Sequence, residues 1–208
     1  MNSQDGDRNA ALGLLMDEND PYLRDRMKRA LTAPPFEESA RNYEAVGRFI
    51  TSYANAEDAL HQLARHLTGL SDDKARVLFA GMRISDLTDR IRAFVRLNKT
   101  EFNTATEIEA CLVQLNEIAK RRHALVHRGS VFIFGVLLVS NVGTAKTIAS
   151  IENERFEYAD LTNMDLDCVQ ICLRLMQIFQ PLTSDPAFVE VLRQPWRYKP
   201  TRPKAQNQ

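Results

Sequence analysis

Glu117-Ile-Ala-Lys-Arg-Arg-His-Ala-Leu-Val-His-Arg-Gly129 closes a helical pattern with arginines and histidines set on and beside an otherwise apolar stripe. Reading upstream, Ile108, Leu112, Leu115, Ala119, Arg122 and Val126 recur at the alternating four- and three-residue spacing of a single helix face. Arg122 therefore stands where a leucine is expected. A guanidinium cannot shed its charge and is costly to bury unpaired, so this position demands a carboxylate, a cleft or an anionic ligand opposite it.

The sequence offers one such carboxylate. A second long pattern, Val46, Ile50, Tyr53, Glu57, Leu60, Ala64 and Leu67, carries Glu57 in its apolar stripe. Two helices, each with one charge of opposite sign on its inward face, pack most simply with Glu57 against Arg122. Such a pair is either a structural ion pair or part of a site. His127, five positions beyond Arg122 and beside Gly129 as the expected helix stop, favours the site.

The remaining elements follow from period and punctuation. The first core helix runs from about 37 to 70, ended by Gly69 and Ser71-Asp-Asp73. A second helical region breaks near Gly81, with Ile84, Leu87, Ile91 and Phe94 inward. The third opens at Thr104-Ala-Thr-Glu107, a capping-box pattern, and runs to Gly129. Val131-Phe-Ile-Phe and Val136-Leu-Leu-Val139 are rich in strand formers, and Asn141-Val-Gly143 is a turn signal before Lys146 to Ile151, which predicts a β-hairpin. Phe156-Glu-Tyr158 adds a short third strand. Thr162-x-x-Asp165 then caps a fourth helix that is apolar almost all round, with surface to spare for a second subunit. Asp185-Pro186 begins a short terminal helix.

The fold class is thus mainly α, a helical bundle with a small β-hairpin insertion at about 130–158, between the third and fourth core helices. Three regions are expected: an N-terminal helical arm over 1–35, interrupted at Pro21 and set off by Pro34-Pro35; the domain over 36–193; and a basic, flexible tail over 194–208. Arg193 at the domain's end and Arg197, Lys199, Arg202 and Lys204 in the tail are mixed with Trp196 and Tyr198, residues able to hold phosphates and stack on bases. Pro195, Pro200 and Pro203 prevent regular structure there, and a solvated terminus is the simpler reading.

A chain of 208 residues, 44% of them hydrophobic, can bury a real core. Its formal net charge of +0 argues against wholesale capture of polyanions, so an anion site must be a local concentration of arginines. Cys111, Cys168 and Cys172 lack Cys-x-x-Cys spacing and fit small buried thiols in a reducing compartment. The N-terminus has no apolar signal core, and the run Val131 to Val139 is too short to span a bilayer, so a cytoplasmic protein without membrane association is expected.

Two chemistries fit the central cluster. Arg122 can hold a phosphate and stabilise a phosphorane-like transition state, while His127 exchanges a proton with a ribose 2′-hydroxyl or a leaving 5′-oxygen. At about 100° per residue these two side chains point about 140° apart, so convergence requires a long reach by the arginine or a second copy of the helix across a dimer cleft. Alternatively His123 and His127, four apart on one face, have the spacing of metal-binding helices. A metal would need further ligands, for which Asp58, His61 and His66 are the candidates. The first reading is preferred, with no metal and no cofactor.

Arg122-His-Ala-Leu-Val-His127 resembles the Arg-x4-His signature of the HEPN superfamily, in which a polar residue commonly follows the arginine. The order of long helices, the acidic Glu57 and the helix after a variable insertion resemble that all-α bundle over roughly 37–182. His123 stands in the polar slot where Asn is commoner, and Arg128 separates His127 from Gly129. The resemblance implies a metal-independent endoribonuclease whose cleft is formed by two facing motifs in a homodimer. RNA would be the substrate, in a toxin–antitoxin, phage-defence or RNA-processing setting with an antitoxin or defence-system partner. By position, Arg122 would bind and polarise the scissile phosphate, His127 would act as general acid or base, His123 would orient or assist, and Glu57 would hold Arg122. Lys120, Arg121 and Arg128 are candidate phosphate contacts. The resemblance equally admits a catalytically silent nucleotide- or RNA-binding or dimerisation module.

Overall fold

The computed structural model describes residues 37–133, 136–181 and 186–200. The chain divides into two units, Met1–Arg41 and Asn42–Gln208, and the packed elements belong to the second. The arm expected over 1–35 lies outside the described residues, as do positions 201–208 of the tail.

Helix α1 (Glu37–Thr68) buries Ala45, Phe49, Tyr53, Ala56, Leu60, Leu63 and Ala64. This seam lies slightly to one side of the stripe read from the sequence, whose Val46, Ile50 and Leu67 are half-buried at its margin. Glu57, next to the fully buried Ala56, accordingly sits on the flank of the seam. Gly69 ends α1 at φ +63°, a left-handed conformation that costs a glycine nothing. Helix α2 (Asp72–Phe79) and helix α3 (Ile84–Leu97) flank a turn at Gly81, and Phe79 meets Phe94 edge to face at 6.4 Å.

Helix α4 (Phe102–His127) starts earlier than expected. The Glu101 carboxylate accepts the Asn103 and Thr104 backbone N–H groups at 3.1 and 3.2 Å, satisfying the first free donors in place of the expected box at Thr104. Glu107 is thereby free to pair with the nearly buried Arg174. The inward face of α4 carries Ile108, Cys111, Leu112, Leu115, Ile118 and Leu125, whereas Val126 is exposed. The last turns rotate their buried side towards the sheet, where Arg121 lies 3.9 Å above the Phe156 ring.

Three antiparallel strands follow in the order β1-β2-β3: β1 (Gly129–Ile133), β2 (Val136–Ser140) and β3 (Asn153–Phe156). Leu137 and Phe156 are register partners, and with Val139 they form the buried face. The hairpin stands where the sequence placed it, but the third strand ends at Phe156 instead of beginning there. Residues 146–151 form a loop with a short 3-10 turn, held by Asn141, which donates to Ser150 O at 3.1 Å and accepts from Glu152 N at 2.7 Å.

Helix α5 (Tyr158–Phe179) is capped reciprocally by Glu157 and Asp160, so Thr162 and Asp165 lie inside it. Buried Asp165 instead ties α5 to α1, accepting the Ser52 hydroxyl at 2.5 Å with Arg48 3.4 Å away. Helix α6 (Pro186–Leu192) follows. The segment 194–200, expected to be part of a loose tail, is laid against the bundle: Tyr198 is buried, and Trp196 lies 4.3 Å from the Arg174 guanidinium. No helix among the described residues is long and apolar enough to cross a membrane.

Candidate active site

The last two turns of α4 and the strand that follows place the sequence-designated residues. His127 is the final helical residue. Arg128 leaves the helix in an extended conformation (φ −111°, ψ 157°), with its N–H still bonded to Ala124 O at 3.1 Å. Gly129 is the first residue of β1 and is not a left-handed cap, so the helix ends by direct passage into a strand.

His123 and His127 are both exposed, one turn apart, with ring centroids separated by 4.6 Å and planes tilted by 47°. Each ring is a proton donor or acceptor open to solvent. Among the described residues no third ligand joins them, and no group of three or more His, Cys, Asp or Glu side chains is placed to share a metal ion. Asp58 instead accepts from Gln62 at 2.6 Å, and His66 packs 6.4 Å from Phe179.

The three arginines divide sharply. Arg121 donates to Glu154 Oε2 at 2.7 Å and to Arg155 O at 2.7 Å. Arg128 donates to the other oxygen of Glu154 at 3.0 Å and to Glu152 at 2.6 Å. These two candidate phosphate contacts are thus committed to carboxylates, and they clamp the end of α4 to β3 and the loop before it. Lys120 is exposed and pairs with Glu117 at 2.5 Å. Arg122, by contrast, has no hydrogen-bond partner among the described residues. Its Nε is shut off from solvent, and its Cζ lies 5.4 Å from the centre of the Tyr53 ring.

Glu57 and Tyr53 face Arg122 from successive turns of α1. Burial raises the Glu57 carboxyl above the usual glutamate value, and the Arg122 and His61 charges oppose that rise. Burial likewise raises the Tyr53 hydroxyl, with Glu57 adding to the rise and Arg122 working against it. Arg122 and Glu57 therefore feel each other's charge, as the two stripes implied, but they do not close a contact ion pair. With Glu57 on the flank of its seam, the two charges meet at the margin of the core, where solvent shares the work of compensation. Burial pushes the Cys111 thiol up to about 12, and Cys168, also raised by burial, lies close enough to Tyr53 and Glu57 to feel their charges.

Glu154 and Tyr53 are the partners that sequence reading passed over. The signal for Glu154 was present only as composition: Arg121 and Arg128 at the end of the helical pattern, and Glu152 and Glu154 two apart just after the insertion, are opposite charges in neighbouring elements. Clefts of about 460, 420 and 550 Å³ lie elsewhere, none lined by Arg122, His123 or His127. His123 and His127 are exposed, and Arg122 is half-buried. Comparison with known proteins found no matching family model, no similar curated protein and no similar solved structure.

Proposed function

We propose that this chain is an endoribonuclease of HEPN type, acting as a homodimer at a cleft where two copies of the α4 terminus face each other. The observation that carries the reading is the division of labour at one helix end: solvent-open imidazoles at His123 and His127, and Arg122, an arginine with unused donors, in the same last two turns of α4. His127 takes the proton from a ribose 2′-hydroxyl. The freed oxygen attacks phosphorus, the P–O2′ bond forms as the P–O5′ bond breaks, and the departing 5′-oxygen receives a proton from a second imidazole. Arg122 balances the extra charge on the phosphoryl oxygens, and Glu57 and Tyr53 position it. The products are a 2′,3′-cyclic phosphate and a 5′-hydroxyl end. A toxin or antiviral-defence setting, with a cognate antitoxin or defence partner, fits an activity that must be held in check.

A second reading, a catalytically silent RNA- or nucleotide-binding or dimerisation module, is favoured by the inward seat of Arg122, whose Nε faces the core. Cleavage of a mixed RNA by wild type and His127→Ala protein, both in excess chelator, separates the two. Wild-type cleavage alone, with cyclic phosphate ends, is the expected result. Cleavage by neither protein would leave the silent module or an enzyme that a partner must activate, and equal cleavage by both would remove His127 from the mechanism.

A further inference from the structure

The C-terminal segment is anchored through its backbone by buried polar side chains. Gln170 Nε2 donates to Leu192 O at 2.6 Å and to Gln194 O at 2.7 Å. The fully buried Asp167 carboxylate accepts the backbone N–H groups of Arg197 and Tyr198, each at 2.9 Å. Gln114 Nε2 bridges the same carboxylate at 2.9 Å and Tyr198 O at 3.1 Å. These bonds fix the height and register of the segment on α4 and α5.

Burying Tyr198 turns its neighbours outward. Arg197 and Lys199 are exposed, and, although the Arg197 charge acts on the Asp167 carboxyl, neither side chain makes a hydrogen bond or a contact ion pair among the described residues. Their backbone positions are two residues apart, on the order of 7 Å in extended chain. The Tyr198 carbonyl accepts from Gln114 at 3.1 Å, which places the segment beside the middle of α4. Gln114 is thirteen residues, or about 20 Å along the helix, from His127.

We infer that this anchored segment is the phosphate-contacting edge of the RNA site, with Arg197 and Lys199 holding adjacent phosphates of a single strand whose continuation reaches the His127 end of α4. The inference rests on the ribonuclease reading for the identity of the polyanion. The anchoring gives two flexible cations a fixed base, so that they select a path for the strand as well as attracting it.

The test is fluorescence anisotropy of a labelled, mixed-sequence single-stranded RNA titrated with full-length His127→Ala protein across a range of KCl concentrations. Adding R197Q and K199Q is expected to weaken binding about ten-fold and to lower the salt slope by about 1.4, two contacts at ~0.7 each. Asp167→Asn in the same background discriminates further. It removes a negative charge, so bulk electrostatics alone calls for tighter binding, whereas release of the anchored backbone calls for weaker binding. Circular dichroism checks that the protein remains folded; should Asp167→Asn unfold it, the exposed double variant decides alone. No RNA binding, an unchanged slope in R197Q/K199Q, or tighter binding by folded Asp167→Asn protein would overturn the inference. Wild-type cleavage, assayed separately, decides the ribonuclease reading. Slope-dependent binding without cleavage leaves the edge standing and removes the catalysis.

Discussion

Arg121 and Arg122 are neighbours in sequence with opposite bonding: the first reaches Glu154 and the Arg155 carbonyl, both at 2.7 Å, while the second reaches no acceptor among the described residues. Substitution should therefore separate stability from activity. Under the proposed mechanism, Arg122→Ala lowers RNA cleavage by about 100-fold or more, the loss typical of removing a donor to a developing oxyanion, with little change in melting temperature. Arg121→Ala is expected to destabilise by about 1–3 kcal/mol, since it strands part of the Glu154 carboxylate, and to leave the activity of the folded fraction intact. The reverse pattern would exchange the roles of the two arginines.

The clamp at Arg121 rests on Phe156, which is fully buried and pairs with Leu137 across the sheet. Phe156→Ala removes the ring beneath the guanidinium and opens a cavity between α4 and the strands. Urea denaturation should show a loss of about 3–5 kcal/mol. A loss below 1 kcal/mol would mean that the sheet is not packed as described.

Glu57 makes a distinctive contribution to pH dependence because its carboxyl is raised, not lowered. A raised group binds its proton more tightly in the folded state. Its contribution is fully present below the unfolded value and is lost as pH rises through the folded value. Melting temperatures of wild type and Glu57→Gln, compared from neutral pH downwards, should therefore move in favour of wild type as pH falls through the range just above the usual glutamate value. A difference moving the opposite way would show that the Arg122 charge outweighs burial.

Gly81 turns the chain between α2 and α3 at φ +74°, with no neighbouring atom near the place of a Cβ. Gly81→Ala consequently meets no clash and reports backbone strain alone, about 1–2 kcal/mol by denaturant titration. A neutral result would show that the turn relaxes to a right-handed conformation.

Helix-forming period, the break at Gly81 and the switch to strand formers after Gly129 were readable from the sequence because each is a local property of the chain. Helix starts were less so. The boxes expected at Thr104 and Thr162 are displaced by Glu101 and Glu157, acids that compete for the same free amides. At the candidate site, the proximity of Arg122 and Glu57 was legible from two interrupted stripes, but their failure to close was not. That failure depends on the slight sideways displacement of the α1 seam, which a periodic pattern does not resolve. The docking of Tyr198 was hidden for a different reason: prolines and charges describe a segment that forms no regular element, yet its backbone groups bond to Gln114, Gln170 and Asp167, far away in sequence.

The bond from Ser52 to Asp165 joins positions 113 residues apart. During synthesis α1 therefore emerges long before the helix to which Ser52 is bonded. At about 5–20 residues per second the wait is roughly 6–23 s, and Phe49, Leu60 and Leu63 of α1 are all fully buried in the finished protein. The nascent chain thus presents an amphipathic segment to whatever surrounds the ribosome, and a pause in translation before α5 lengthens that exposure directly.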